Sequence, residues 1–365
     1  MRFRLGHRPA LDGVRAIAIL AVMAAHFRRD AVAFPRRGGF LGVDVFYVLS
    51  GFLITSLLCE EWAKTGLIRL RLFYARRALR LLPAFFTMVS VYVLWAATLG
   101  PRQWLHKELI EAVTAVLYSE NLFRAFTLNH SSPPPANGLV PTWTLSAEEQ
   151  FYVLWPIILI ALIRFRGLRA ATIFAGVVFS AQAIFRGFMY HHHWHQFFFT
   201  RPDSLLVGCL LALLLAQGVS WRPPTWLGWA SAAAVVVGLT SATRATYMLA
   251  YGFPLFALAT GLTLWTVVTR AEWAVTQLLE FRPLVGIGRI SYGLYLWQLP
   301  VFCAVERYVA HLRVAAPLAV VLTFVVALIS YRFVELPFLR LKSRLNPVRT
   351  TQPAAPLDAA VVPAT

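Results

Sequence analysis

The sequence is short of acidic residues and of cysteine, and it lacks the motifs of the common nucleotide-dependent and hydrolytic enzymes. Only 16 of its 365 residues are Asp or Glu, against 34 Lys or Arg. The three cysteines, Cys59, Cys209 and Cys303, are odd in number and far apart, each in or beside an apolar stretch. That spacing provides neither a disulfide framework nor a metal site and leaves them as small packing residues. No phosphate-binding P-loop, nucleophile elbow or dinucleotide fingerprint is present, so ATP-driven transport and serine-type hydrolysis find no support. The first apolar run has no small-residue cleavage site and ends instead at His26, Arg28 and Arg29, so a retained span is expected rather than a signal peptide. No repeat of fixed period occurs, and no soluble domain is recognisable.

What the chain has in excess is apolar surface: 59% of residues are hydrophobic and the mean hydropathy is +0.64. Soluble domains sit nearer one half, so the surplus is expected to face lipid. A net charge of +18 would suit a nucleic-acid binder, but no basic helix or aromatic platform accompanies it, and nucleic acid is not an expected partner. Apolar runs near 11–27, 40–59, 84–100, 145–163, 170–188, 203–218, 225–243, 247–269, 286–310 and 314–333 predict an all-α polytopic bundle of about ten membrane helices. The charged stretch 103–122 is expected to lie at the interface. An even span number places both termini on one side. With that side cytoplasmic, roughly 21 Lys/Arg fall inside and roughly 12 outside, as the positive-inside rule asks. Arg28, Arg29, Arg36 and Arg37 break the bias in the first outer loop. Residues 1–345 are expected to form one transmembrane domain and the Pro/Ala-rich 346–365 a disordered tail.

Several polar residues exceed what anchoring requires. Arg15 and His26 lie eleven residues apart in the first span, on one helix face and about 16 Å apart along the axis. Asp12, three residues before Arg15, shares that face and suits an ion pair with it. Asp44 sits in a glycine-bearing block, Gly39 to Phe52, and the spacing of Gly38 and Gly42 fits a close helix contact. Arg76, Arg77 and Arg80 are predicted on a short helix ended by Pro83, and their choice over lysine favours planar phosphate binding. Glu148 and Glu149 follow Ser146, which with Glu149 has capping-box form. Asp203 opens a span, Tyr292 lies within one, and Arg332 and Glu335 are expected to pair locally. The run His191, His192, His193 and His195 lacks acidic partners, so no metal is expected there.

Taken in order, these blocks resemble the acyltransferase-3 family of membrane O-acyltransferases. The match runs from Arg8 to about Arg344. It comprises Leu11-Asp12-Gly13-Val14-Arg15 with His26, Gly42-Val43-Asp44-Val45-Phe46 through Ser50-Gly51-Phe52, and Phe73-Tyr74 with Arg76, Arg77, Arg80 and Pro83. Trp143 with Leu145-Ser146, Glu148-Glu149-Gln150-Phe151-Tyr152, Arg201 with Asp203, Ile290 to Trp297, and Glu335 with Pro337 complete it. The resemblance implies transfer of an acyl group, usually acetyl, from cytoplasmic acyl-CoA to a hydroxyl of a sugar, cell-surface glycan or glycosylated product in the inner (plasma) membrane. Some members append an extracytoplasmic esterase/transferase domain. None is expected in this chain, so it acts alone or passes the acyl group to a separate extracytoplasmic transferase. One position departs from the family: Trp297 is followed by Gln298 where a histidine is usual.

On this reading His26 is the general base or a transient acyl carrier, and Arg15 holds the donor or polarises its carbonyl. Arg76, Arg77 and Arg80 grip the CoA phosphates. Asp44, Glu148 and Glu149 orient His26 or bind acceptor hydroxyls, and Asp12, Asp203 and Tyr292 join Glu148 as substrate-binding candidates. Membrane lipids are the surrounding partner. A rival reading is a proton-coupled carrier or flippase of a glycan or lipid-linked intermediate, which the same buried His/Arg/Asp set would suit.

Overall fold

The computed structural model describes residues 6–26, 38–100, 102–127, 138–191, 203–243, 247–309 and 311–345. The basic cluster at 28–37, His192, His193, His195, Arg201 and the 346–365 tail lie outside the described residues. Those described are predominantly helical, with no strand among them. The helices are α1 (Pro9–His26), α2 (Gly42–Thr65), α3 (Leu70–Thr98), α4 (Arg102–Val116), α5 (Glu120–Thr127), α6 (Thr142–His191) and α7 (Asp203–Ala216). They continue with α8 (Thr225–Ser241), α9 (Phe253–Thr269), α10 (Ala274–Leu279), α11 (Arg282–Arg289), α12 (Ser291–Tyr308), α13 (Leu312–Ser330) and α14 (Leu336–Arg344).

Each apolar run of the sequence carries a helix. Among the described residues six helices are long and apolar enough to cross a membrane, while α7 and α8 are apolar but shorter. The expected break between 163 and 170 is a single residue: Gly167, at φ 80°, ψ 175°, kinks α6 in a conformation that glycine alone adopts readily. Outward-facing Leu94, Ile184 and Phe333 are more than 60% exposed, an apolar surface that lipid covers and water would not.

One expectation is corrected. Pro83 does not end a short helix, because α3 runs unbroken through it and Arg76, Arg77 and Arg80 occupy the first three turns of a 29-residue helix. Membrane helices tolerate such a proline where neighbouring groups satisfy the freed backbone. The 103–122 stretch is two helices joined at Tyr118, which takes a left-handed φ of 51°. Its amphipathicity is turned inward: Glu108 and Glu111 are buried while Leu109 and Val113 face out. Tyr92 donates to Glu108 (2.9 Å), and Arg124 bonds Glu111 (3.4 Å) and pairs with Glu120 (2.7 Å).

The centre of the bundle is the α2–α7 crossing. A Cβ on Gly51 would lie 2.0 Å from the Leu205 carbonyl oxygen, and one on Gly208 would lie 2.0 Å from that of Val48. Only two facing glycines permit backbones this close. α1 packs antiparallel to α2, with Gly42 seated against Ala18 and Val22, so His26 lies one turn beyond the start of α2.

Candidate active site

α2, α3, α6 and α12 enclose a cavity of about 600 Å³. Its lining on α2 extends from Val43 to Thr65, about 33 Å along the helix and close to the thickness of a hydrocarbon core. One end is charged and the other aromatic. Seven basic and four acidic side chains line it, so the cavity carries a surplus of positive charge.

The basic groups differ in what already holds them. Arg15 is paired with Asp12 at 2.6 Å. Arg76 stands 3.6 Å from Glu61, and Lys64 3.6 Å from Glu60. Arg77 gives Nε and Nη2 to the two carboxylate oxygens of Glu149, at 3.1 and 2.7 Å, and stacks on Tyr152. Tyr152 in turn donates to Glu148. Arg80 and Lys342 have no salt-bridge partner among the described residues, although both lie within the field of Arg15 and Arg77. A cavity holding two cations outside any described salt bridge beside five others is built for an anion.

At the other end Tyr47 donates to the Thr144 carbonyl (2.9 Å), and Tyr295 bonds the Thr144 hydroxyl and the Pro141 carbonyl. These rings form the cavity's end wall. Behind it, three residues along α12, Gln298 is fully buried. Its Oε1 lies 3.1 Å from His26 Nδ1, and its Nε2 lies 3.3 Å from the Tyr295 carbonyl.

Of the residues singled out in the sequence, the cavity thus gathers Arg15, Arg76, Arg77, Arg80, Glu148, Glu149 and Tyr292. Tyr292 is tethered by a bond to the Leu81 carbonyl (3.0 Å). His26 stands beyond the wall, reached through Gln298. Asp44 and Asp203 belong to a separate buried group near the start of α2 and α7. Ser204 donates to Asp44 (2.9 Å), and Arg186 pairs with Asp203 (2.6 Å). The expected Arg332–Glu335 pair is absent. The π-turn Tyr331–Glu335 shifts the register, so Arg332 is exposed and Glu335 is buried against Gly293. Sequence reasoning missed Tyr47, Thr144, Tyr295 and Lys342. The lysine lies in the basic final helix and reads there as ordinary anchoring.

A family described as an acyltransferase domain matches residues 8–332. The chain belongs to the acyltransferase-3 family. Similar proteins include the peptidoglycan O-acetyltransferase OatA of Listeria monocytogenes, 29% identical over 369 residues, 92% of this chain and 56% of that protein. YrhL of Bacillus subtilis, provisionally named a peptidoglycan O-acetyltransferase, is 32% identical over 354 residues, 90% of this chain and 54% of YrhL. A provisionally named O-acetyltransferase of Staphylococcus aureus N315 is 31% identical over 360 residues, covering 92% and 58%. The chain therefore spans a little over half the length of these relatives. Among solved structures none matches. Within the acyltransferase-3 family, then, residues 8–332 form a membrane-embedded domain whose long cavity is basic at one end and aromatic at the other.

Proposed function

We propose that this acyltransferase-3 domain moves an acetyl group from cytoplasmic acetyl-CoA to a hydroxyl of a cell-envelope glycan, of the peptidoglycan type named for its relatives. The observation that carries the reading is the cavity: it is membrane-deep, basic at one end, and closed at the other by the wall behind which His26 stands. Ten spans with both termini cytoplasmic, in the inner membrane, would place Lys64, Arg69 and Arg76 at the donor side. The residues fit a nucleotide-bearing thioester, because Arg80 and Lys342 are cations in no salt bridge among the described residues and phosphates supply negative charge. Acetyl-CoA supplies the activated carbonyl. Arg15 holds the donor, and His26, about 16 Å further along α1, takes the proton of the acceptor hydroxyl as the C–O bond forms and the C–S bond breaks. If His26 instead carries the acetyl group, it is acylated first and deacylated by the hydroxyl. The proton returns to the CoA thiolate in either case. The domain works alone or hands the group to an extracytoplasmic transferase.

The test is direct. Purified protein in lipid discs, given labelled acetyl-CoA and glycan acceptor, is expected to release CoA and label the acceptor. His26→Ala is expected to lose at least about a hundredfold in turnover while still being protected from heat by CoA. Normal transfer by that variant would sink the role given to His26, and no transfer by the native protein would favour a carrier.

A further inference from the structure

Behind the cavity's end wall stands Gln298. It is a primary amide with no exposed surface, on a helix whose neighbouring side chains Leu296, Leu299 and Phe302 are apolar and buried. Burying an amide is costly unless its groups are bonded, and a leucine or methionine would fill the space without that demand.

Its two bonds determine more than its own orientation. The Tyr295 carbonyl oxygen, 3.3 Å away, can only accept a hydrogen bond, so the amide atom facing it must be the nitrogen. The amide oxygen then faces His26 Nδ1 at 3.1 Å, and that oxygen also can only accept. Nδ1 must therefore carry the proton. In the neutral imidazole the lone pair consequently lies on Nε2. Tyr295 completes the chain, since its ring lines the cavity while its hydroxyl is held by Thr144 and by the Pro141 carbonyl. Cavity wall, amide and imidazole are one connected unit.

We propose that Gln298 is a positioning residue: it locks His26 in the Nδ1–H tautomer and so presents Nε2 as the atom that accepts the proton or the acetyl group. The proposal rests on the reading of His26 given above, and it adds which nitrogen acts and what selects it.

Two measurements test it. Protein labelled with 15N in its histidine rings, with His26 assigned by difference from His26→Ala, is expected to show a protonated Nδ1 and a bare Nε2. A protonated Nε2 would overturn the proposal. In turnover, Gln298→Met keeps the shape but not the bond and is expected to lower kcat about tenfold or more, with KM for acetyl-CoA within about twofold. Gln298→Glu keeps an oxygen acceptor toward Nδ1–H and is expected to stay within about threefold of native kcat. A Gln298→Glu variant as slow as Gln298→Met, or a Gln298→Met variant as fast as native, would equally refute it. The spectrum requires no turnover, so an inactive native protein with the expected spectrum would count against acyl transfer alone.

Discussion

The Arg77 guanidinium holds both carboxylate oxygens of Glu149 and lies 3.1 Å above the ring centre of Tyr152. Seventy-two residues apart in sequence, the two side chains join α3 to α6 across the cavity wall. Each is about one-fifth exposed, so the pair is neither a surface bridge nor fully dry. Glu149→Gln is expected to lower unfolding free energy by about 2–3 kcal/mol, below the range for wholly buried pairs. It also releases a cation into the cavity, so CoA should protect this variant from heat more strongly than it protects the native protein. Stability and anion affinity moving in opposite directions would identify the pair as the cavity's charge balance. Loss of both would show that the pair only supports the fold.

Arg80 stands in the cavity with no salt bridge among the described residues, so its charge is available to a ligand. Arg80→Gln is expected to weaken CoA binding by about 1.5–3 kcal/mol, roughly ten- to a hundredfold, with the loss in KM rather than kcat. Raising the salt concentration should narrow the gap between variant and native protein. Isothermal titration with CoA at two ionic strengths measures both effects.

The α2–α7 crossing leaves no room for a methyl group. Gly208→Ala would put a Cβ 2.0 Å from the Val48 carbonyl oxygen and 2.6 Å from the Phe52 nitrogen, both backbone atoms that cannot rotate away. The expected cost is about 1–3 kcal/mol, read as a lower Tm in detergent. Gly286→Ala, where nothing lies within 4 Å, serves as the control and should leave Tm in place.

Glu111 gives a pH dependence. Burial pushes its carboxyl up to about 7, against the opposing pull of Arg124, while neighbouring Glu120 adds to the rise. An unfolded chain would bind fewer protons at this site between about pH 4.5 and 7, so stability contributed here is greatest at the acid end and is lost as pH rises through 7. Tm should fall across that interval, and Glu111→Gln should flatten the fall. Glu108 and Glu120 are shifted in the same direction by burial and would steepen it together. A Tm that rises from pH 5 to 7.5 would contradict the assignment.

The helices were legible because lipid imposes one simple rule, and each predicted apolar run carries one. The polar residues Arg15, His26, Arg77 and Glu149 were legible for the same reason, since each stands out against an apolar background. Their partners were not. Arg77 meets Glu149, and His26 meets Gln298, across 72 and 272 residues, and no local spacing encodes such contacts. Gln298 drew notice only as a departure from a pattern, and its bond to His26 needed the fold. The charges of α4 read as a polar outer face, whereas Glu108 and Glu111 point inward. Its carboxylates find Tyr92, Lys107 and Arg124 inside the protein, contacts that no local spacing encodes.

A polar hollow nearly as long as a bilayer is thick endangers any membrane that stores energy as a proton gradient. Here the described hydrogen bonds of the end wall all finish on carbonyls: the Tyr47 hydroxyl reaches that of Thr144, and the Tyr295 and Thr144 hydroxyls both reach that of Pro141, acceptors that cannot pass a proton on. Vesicles bearing this protein should therefore hold a pH difference as long as bare vesicles do, and Tyr295→Phe should shorten that time.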